Sequence, residues 1–452
     1  MSILFYLVSF FTVTVASVQP SPATCACSRM ADSLVLVKLF ESTNGANWSI
    51  KWNFNQGIEN WYGINLDGMG CVRNISLSDN NLKGNLPPEL GLLTNLKVLN
   101  LFNNQLTGTI PVSLGGLSLL EELNLENNQF TGSIPSSFSG LFSLKLASFS
   151  NNNLSGIFPL VLTDITTLNQ LSLSDNFFTG TIPPGISKWN QINLIDFSNN
   201  QFSGNLPPNI SLIRSLKELY LSNNKFTGEL PGSMSLLTNL RNIWLNNNQF
   251  SGLVPDLTLA PLLSLRLEYN HFTDIPDYSN LRTWGNSEPF GLVIHHNNFT
   301  FEDLIPLQKL PKNFYFNFKP QNPIPLDSII FVPKAANFNI RLFTDPQILD
   351  NNYKWFKDTA VVFITNQNYY PLINMMEEDE GYYSGSVTNN AIAEFDIKIS
   401  KTRVVFTLPG RCDNPPSGRF CEEAPHFCNT QDLHNYCGSF RSPDTSNQNK
   451  FI

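Results

Sequence analysis

Leu99-Asn100-Leu101-Phe102-Asn103-Asn104-Gln105-Leu106-Thr107-Gly108-Thr109-Ile110-Pro111 is the stretch from which the architecture of this chain unfolds. Leu99 and Leu101, two residues apart, point to one face of a short extended segment, and the residue between them points to the other. The text recurs. Asn80, Asn104, Asn128, Asn152, Asn176, Asn200, Asn224 and Asn248 stand 24 residues apart, and steps of 22 and 27 lead to Asn270 and Asn297, ten repeats in all. Self-similarity at such a period predicts a solenoid. One short strand cannot bury itself, but neighbours stacked about 4.8 Å apart form a parallel sheet, and ten of them span roughly 45 Å. The recurring Asn leaves the strand where the backbone turns, so its amide is placed to bond main-chain groups of adjacent turns. A buried polar column is tolerable only if it is satisfied in this way. Gly and Pro of the T-G-x-I-P continuation supply the bends of the return segment.

These repeats resemble the leucine-rich repeat, in the 24-residue L-x-G-x-I-P subclass of plant receptor ectodomains. The resemblance implies an α/β-type leucine-rich repeat solenoid, a curved parallel β-sheet of about ten repeats whose concave face binds partners. The solenoid is expected over residues 72–310 and an N-terminal cap over 18–71. In the cap, Asp32 begins a short helix running to Phe40 as its N-cap, and Trp48, Trp52 and Trp61 cover the first repeat. Beyond Asn297 the pattern changes to strict alternation, as in Phe338-Asn339-Ile340-Arg341-Leu342 and Phe395-Asp396-Ile397-Lys398-Ile399, the signature of half-buried strands. Residues 314–408 resemble a degenerate immunoglobulin-like domain, a C-terminal antiparallel β-sandwich. That resemblance implies Trp355 as core tryptophan and Tyr383 as the tyrosine-corner residue, with Gly385 where a sheet-linking cysteine would stand.

Composition narrows the function. Lys and Arg number 28 against 36 Asp and Glu, a net charge of −8 with no basic tract, so no nucleic-acid partner is expected and a membrane is reached only through a partner. The apolar run from Ile3 to Val15 reads as a signal peptide over residues 1–17, and the mature chain is expected to be secreted. Of seven cysteines, Cys412, Cys421, Cys428 and Cys437 lie in a tail spanning 409–452. Disulfides suit that compartment better than zinc, and four cysteines leave three connectivities open. Cys71 can pair with Cys25 or Cys27. Sequons at Asn47, Asn74, Asn153, Asn209 and Asn298 fit a glycosylating pathway. Asn74, read as lying on the exposed edge of the first strand, would carry a glycan over the N-terminal part of the concave face.

The strand positions facing solvent map that face. The residue between the paired Leu positions runs Ser76, Asn100, Asn124, Ser148, Ser172, Asp196, Tyr220, Trp244, Arg266, Val293. Two residues on, the column ends Ser222, Asn246, Glu268, His295, and the next ends Asn247, Tyr269, His296. The early repeats are bland. Tyr220, Trp244, Arg266, Glu268, Tyr269, His295 and His296 form the candidate ligand-binding patch, because Tyr, Trp and Arg dominate binding hot spots. The competing expectation is that these aromatics pack beneath the following domain. His271, His295 and His296 are not expected to share a metal, since adjacent strand residues point to opposite sides. No catalytic constellation, metal site or cofactor motif emerges. The expected function is extracellular recognition of a protein, peptide or glycan, receptor-ectodomain-like or adhesive. The alternatives are a secreted inhibitor of a foreign enzyme, similar to polygalacturonase-inhibiting proteins, and a structural surface protein.

Overall fold

The computed structural model describes residues 29–278, 281, 290–307, 310, 315–322, 329–333, 337–341, 351–373 and 376–407. The expected signal peptide, the 409–452 tail and every cysteine except Cys71 lie outside them. Cys71 is buried and disulfide-bonded.

Twelve short strands form one sheet in chain order: β1 (Ile64–Leu66), β2 (Val72–Ser76), β3 (Val98–Asn100), β4 (Glu122–Asn124), β5 (Leu146–Ser148), β6 (Gln170–Ser172), β7 (Leu194–Asp196), β8 (Glu218–Tyr220), β9 (Asn242–Trp244), β10 (Ser264–Arg266), β11 (Gly291–Val293) and β12 (Tyr315–Asn317). All pairs from β2 onward are parallel. The 24-residue period sets the register, placing Leu99 between Ile75 and Leu123. A one-residue slip would turn the leucines out to solvent.

Seven return segments, from Pro88–Leu92 to Gly232–Leu236, carry a five-residue 3-10 turn after a proline, as in Val112–Gly116 after Pro111, because the pyrrolidine ring fixes φ where the turn begins. Behind the first sheet, seven further strands also run parallel. They carry Phe178, Phe202, Phe226, Phe250 and Phe272, whose rings stack at 5.7–6.3 Å and form a continuous spine. The asparagine column does what its position predicts. Asn224 Nδ2 donates to the carbonyls of Phe197 (2.9 Å), Leu221 (3.1 Å) and Ser222 (3.2 Å), while its Oδ1 accepts from the Phe202 amide at 3.0 Å.

The solenoid differs from its sequence reading at both ends. Asp32 is not an N-cap: the helix spans Arg29–Ser42, and the buried Asp32 carboxylate accepts the Val72 amide at 2.8 Å, tying the helix to β2. Burial raises its pKa. Asn74 is not on an edge, because β1 lies antiparallel beside β2 and pairs Asn65 with Asn74. The three tryptophans are buried at that end, with Trp48–Trp52 and Trp52–Trp61 centroids both 4.8 Å apart. At the other end, β12 extends the solenoid sheet by one strand beyond Asn297, so residues 315–317 belong with the repeats and not with the following sandwich. Phe316, Phe318 and Gln321 take the places of the two leucines and the asparagine. Gln321 Oε1 accepts the Asn297 amide at 3.1 Å, and its Nε2 donates to the Ile294 carbonyl at 3.3 Å.

The C-terminal strands form two further sheets. One has the order β13 (Ile329–Pro333), β19 (Ile392–Thr407), β18 (Gly381–Asn389), β15 (Asn351–Lys357), β16 (Ala360–Thr365), and the other pairs β14 (Phe338–Arg341) with β17 (Tyr369–Leu372). All pairs are antiparallel except β13 with β19. Tyr370 of the smaller sheet packs between Trp355 (5.8 Å) and Tyr383 (5.4 Å) of the larger, as in a β-sandwich. Trp355 is fully buried, and the Tyr383 hydroxyl donates to the Asp379 carbonyl at 2.8 Å. Among the described residues, no helix is long and apolar enough to cross a membrane.

Candidate ligand-binding face

Because the 24-residue register aligns equivalent positions, side chains predicted to share a face are brought into contact. Tyr220 stands directly beside Trp244, and Trp244 beside Arg266, on β8, β9 and β10. The Tyr220 and Trp244 rings meet edge to face at 4.8 Å, and the Arg266 guanidinium carbon lies 5.4 Å from the Trp244 centroid, within cation–π range. Trp244 is 37% exposed. Two residues that the sequence reading did not single out hold these rings. Glu218 accepts the Tyr220 hydroxyl at 2.7 Å, and the Ser264 hydroxyl accepts the Trp244 indole N–H at 3.1 Å. Burial, and then the Glu218 hydrogen bond, push the Tyr220 phenol well above its ordinary pKa, so it stays neutral.

Glu268 requires a correction. Expected to face a ligand, it is only 2% exposed, and its carboxylate is taken up by Arg266 two residues before it. Ser150, Ser174, Ser222 and Asn246 of the same column are buried too, and they pair along it, as Ser222 Oγ does with Asn246 Oδ1 at 2.6 Å. Glu268 Oε1 accepts both Nε (2.9 Å) and Nη2 (2.5 Å) of Arg266. Its Oε2 is buried without a hydrogen-bond partner. Glu268 therefore positions Arg266 from beneath. Val293, at the end of the Tyr220 column, is also buried rather than solvent-facing.

A second correction concerns the histidines. Strict strand alternation would send His295 and His296 to opposite sides, yet their rings lie 4.9 Å apart with the Nδ1 atoms at 2.6 Å. The reason is backbone conformation. His296 has φ 54°, outside the extended range in which alternation holds. Tyr269, at the same position one repeat earlier, has φ 58°, stacks on His296 at 4.2 Å and meets His295 edge-on at 5.2 Å. Burial, and then the neighbouring His296, lower the His295 pKa, which favours the neutral ring. His271 lies in the rear sheet. Among the described residues, no group of three or more His, Cys, Asp or Glu is arranged to hold a metal ion.

This left-handed position is occupied by Asp or Asn in the eight repeats from Asp79 to Asn247, residues that adopt it at low cost. Tyr269 does not share that tolerance, so backbone strain is placed in the patch at that residue. Tyr269→Asn is expected to raise stability by about 0.5–1 kcal/mol while removing 47%-exposed aromatic surface. A rise in urea midpoint at constant m-value checks this.

The missed strand β12 adds Tyr315, which is exposed, beyond β11. Its signal was present as Phe316-x-Phe318-x-x-Gln321, the repeat spacing with bulkier residues. Of the sequons, Asn47 and Asn153 are exposed, whereas Asn74, Asn209 and Asn298 are half-buried, and the Asn74 Oδ1 is buried.

Profiles described as leucine-rich repeats match residues 71–130, 167–189 and 214–259. Against curated protein sequences the chain has no significant match. Among solved structures, it is similar to the PEPR1–AtPEP1 complex (31% identity, TM-score 0.57, 66% of this chain and 42% of that one). It is similar to a TDR receptor at 29% identity and TM-score 0.50, over 55% and 43% of the two chains. It also shares the fold of the ectodomain of the plant membrane receptor kinase GASSHO1/SCHENGEN3 from Arabidopsis thaliana (23%, TM-score 0.55, 66% and 42%). The chain spans less than half the length of each of these three. It thus carries leucine-rich repeats and is structurally similar to plant leucine-rich repeat receptor ectodomains.

Proposed function

We propose that this chain is a secreted recognition protein, without catalytic activity, that binds a peptide or protein on the C-terminal half of its concave sheet. The observation that carries the reading is the change of surface at β8. In the Tyr220 column Ser, Asn and Asp give way there to Tyr220, Trp244 and Arg266, joined by Tyr269, His295 and His296, which hold one another by their own contacts. Clustered Tyr, Trp and Arg are the side chains from which binding hot spots are built. Preordered rings lose little freedom on binding, which lowers the cost of association. The similarity to the PEPR1–AtPEP1 complex and to a TDR receptor supports a recognition role.

In this reading the repeats belong to the 24-residue plant-type subclass, and residues 1–17 are removed on secretion. The cap spans 18–71, the solenoid runs from 72 to β12, and a cysteine-paired tail occupies 409–452. The C-terminal sandwich is a degenerate immunoglobulin-like module, supported by buried Trp355 and the Tyr383–Asp379 corner. Asn47 in the cap and Asn153 in the solenoid are the favoured glycan sites of the chain, because both are exposed.

The test is cross-linking capture from extracellular fluid, comparing wild type with Tyr220→Ala/Trp244→Ala. The bound partner is expected to fall at least about tenfold, some 1.4 kcal/mol, with the thermal midpoint held. Undiminished capture by the variant contradicts the proposal.

A further inference from the structure

With Nδ1 atoms 2.6 Å apart, His295 and His296 share a proton: one Nδ1 donates it and the other accepts through its lone pair. A first added proton goes to the outer Nε2 of the donating ring and leaves that bond in place. A second must go to the accepting Nδ1, and then two N–H groups and two positive charges face each other across the same gap. Tyr269 depends on the contact. Its ring stacks on His296 at 4.2 Å and meets His295 edge-on at 5.2 Å, and its left-handed φ of 58° persists only while its surroundings hold it.

The neighbouring charges set the side of neutrality on which the second proton enters. Arg266 and Glu268 face the pair from the β10 repeat, together with the Tyr269 phenol, and Lys319 takes the place equivalent to His295 one repeat later, after β12. Two fixed cations thus stand against one carboxylate, whose Oε1 is already bonded to Arg266. Burial, and then His296, hold the His295 pKa below its ordinary value, which puts the second protonation on the acid side of about pH 6.5. Glu268 Oε2, buried without a hydrogen-bond partner at the equivalent position one repeat earlier, is the acceptor that draws a protonated His295 away from His296.

We propose that His295 and His296 form a proton-operated clasp, closed at neutral pH, where it holds Tyr269 in the concave patch, and opened by acid, where the rings part and Tyr269 is released. The consequence for a bound partner, weaker binding in acid, rests on the recognition role proposed above. The clasp itself does not, and its test uses no partner.

Hydroxyl-radical footprinting of the free, full chain from about pH 7.5 down to about pH 4.5 tests it, with rates taken relative to exposed Phe142. Oxidation of Tyr269 is expected to rise by about twofold in acid, since 47% of its surface is exposed while the clasp is closed. Trp244, held by Ser264 and Arg266, keeps its rate. His295→Phe retains a ring and removes the shared proton, so its Tyr269 rate is expected to be flat across the range. Glu268→Gln removes the negative charge that favours protonation of His295 and is expected to move the midpoint to lower pH, with circular dichroism unchanged. A wild-type Tyr269 rate independent of pH, a rise shared by Trp244, a pH response kept by His295→Phe, or a midpoint that Glu268→Gln leaves in place would each overturn the clasp. The binding reading, which stands on capture of a partner at neutral pH, would survive any of them.

Discussion

Asn224→Ala is expected to destabilise the solenoid by about 4 kcal/mol. The side chain is 9% exposed and makes four hydrogen bonds, all to backbone groups of its own and neighbouring turns. Alanine removes every one, and the burial of the site keeps water from replacing them. The Phe202 amide is then left buried without the Asn224 acceptor, at about 1–3 kcal/mol, and the Phe197 carbonyl keeps only the longer bond from Asn200 Nδ2 at 3.3 Å, with a small cavity added. Stability in a solenoid is close to a sum over repeats and their interfaces, so the loss should be local before it is global. Amide exchange is expected to accelerate first around residues 194–229, with the urea midpoint falling in step. Exchange rising evenly along the chain would show that the asparagine column does not act repeat by repeat.

Arg266→Ala is expected to lower stability by about 2–3 kcal/mol, less than the 3–5 of a fully buried pair because Arg266 is 40% exposed. Most of this cost lies in what remains: Glu268 is buried, its Oε2 already lacks a partner, and without Arg266 neither oxygen has one. Adding Glu268→Gln, which carries no charge, should recover much of the stability. It should not recover binding, because the guanidinium beside Trp244 is gone. Thermal unfolding and binding measured on Arg266→Ala and on the double variant separate the two roles. Recovery of binding by the double variant would reduce Arg266 to a packing residue.

The repeats were legible because a 24-residue register forces the same side chain into the same place many times over, as the alignment of Ile75, Leu99 and Leu123 shows. What escaped the sequence reading depended on departures from that regularity. β12 was hidden by Phe and Gln standing where Leu and Asn usually do, although Gln321 makes contacts of the same kind as Asn224. The pairing of His295 with His296 depends on a left-handed φ, which side-chain alternation does not reveal. Glu268 was placed in the correct column, but its burial beside Arg266 depends on side-chain contacts that the repeat spacing does not disclose. The aromatic patch itself was legible as a column. The residues that hold it, Glu218 and Ser264, were not, since each serves a neighbour two residues away or one strand over.

Side-chain footprinting by hydroxyl radicals, with the captured partner bound, is the most direct test of the binding face. Trp244 and Tyr269, both exposed in the free protein, are predicted to lose reactivity several-fold, while exposed Phe142, outside the patch, keeps its own. Unchanged oxidation of Trp244 and Tyr269, with protection appearing elsewhere on the chain, would contradict the assignment of the concave C-terminal patch as the binding site.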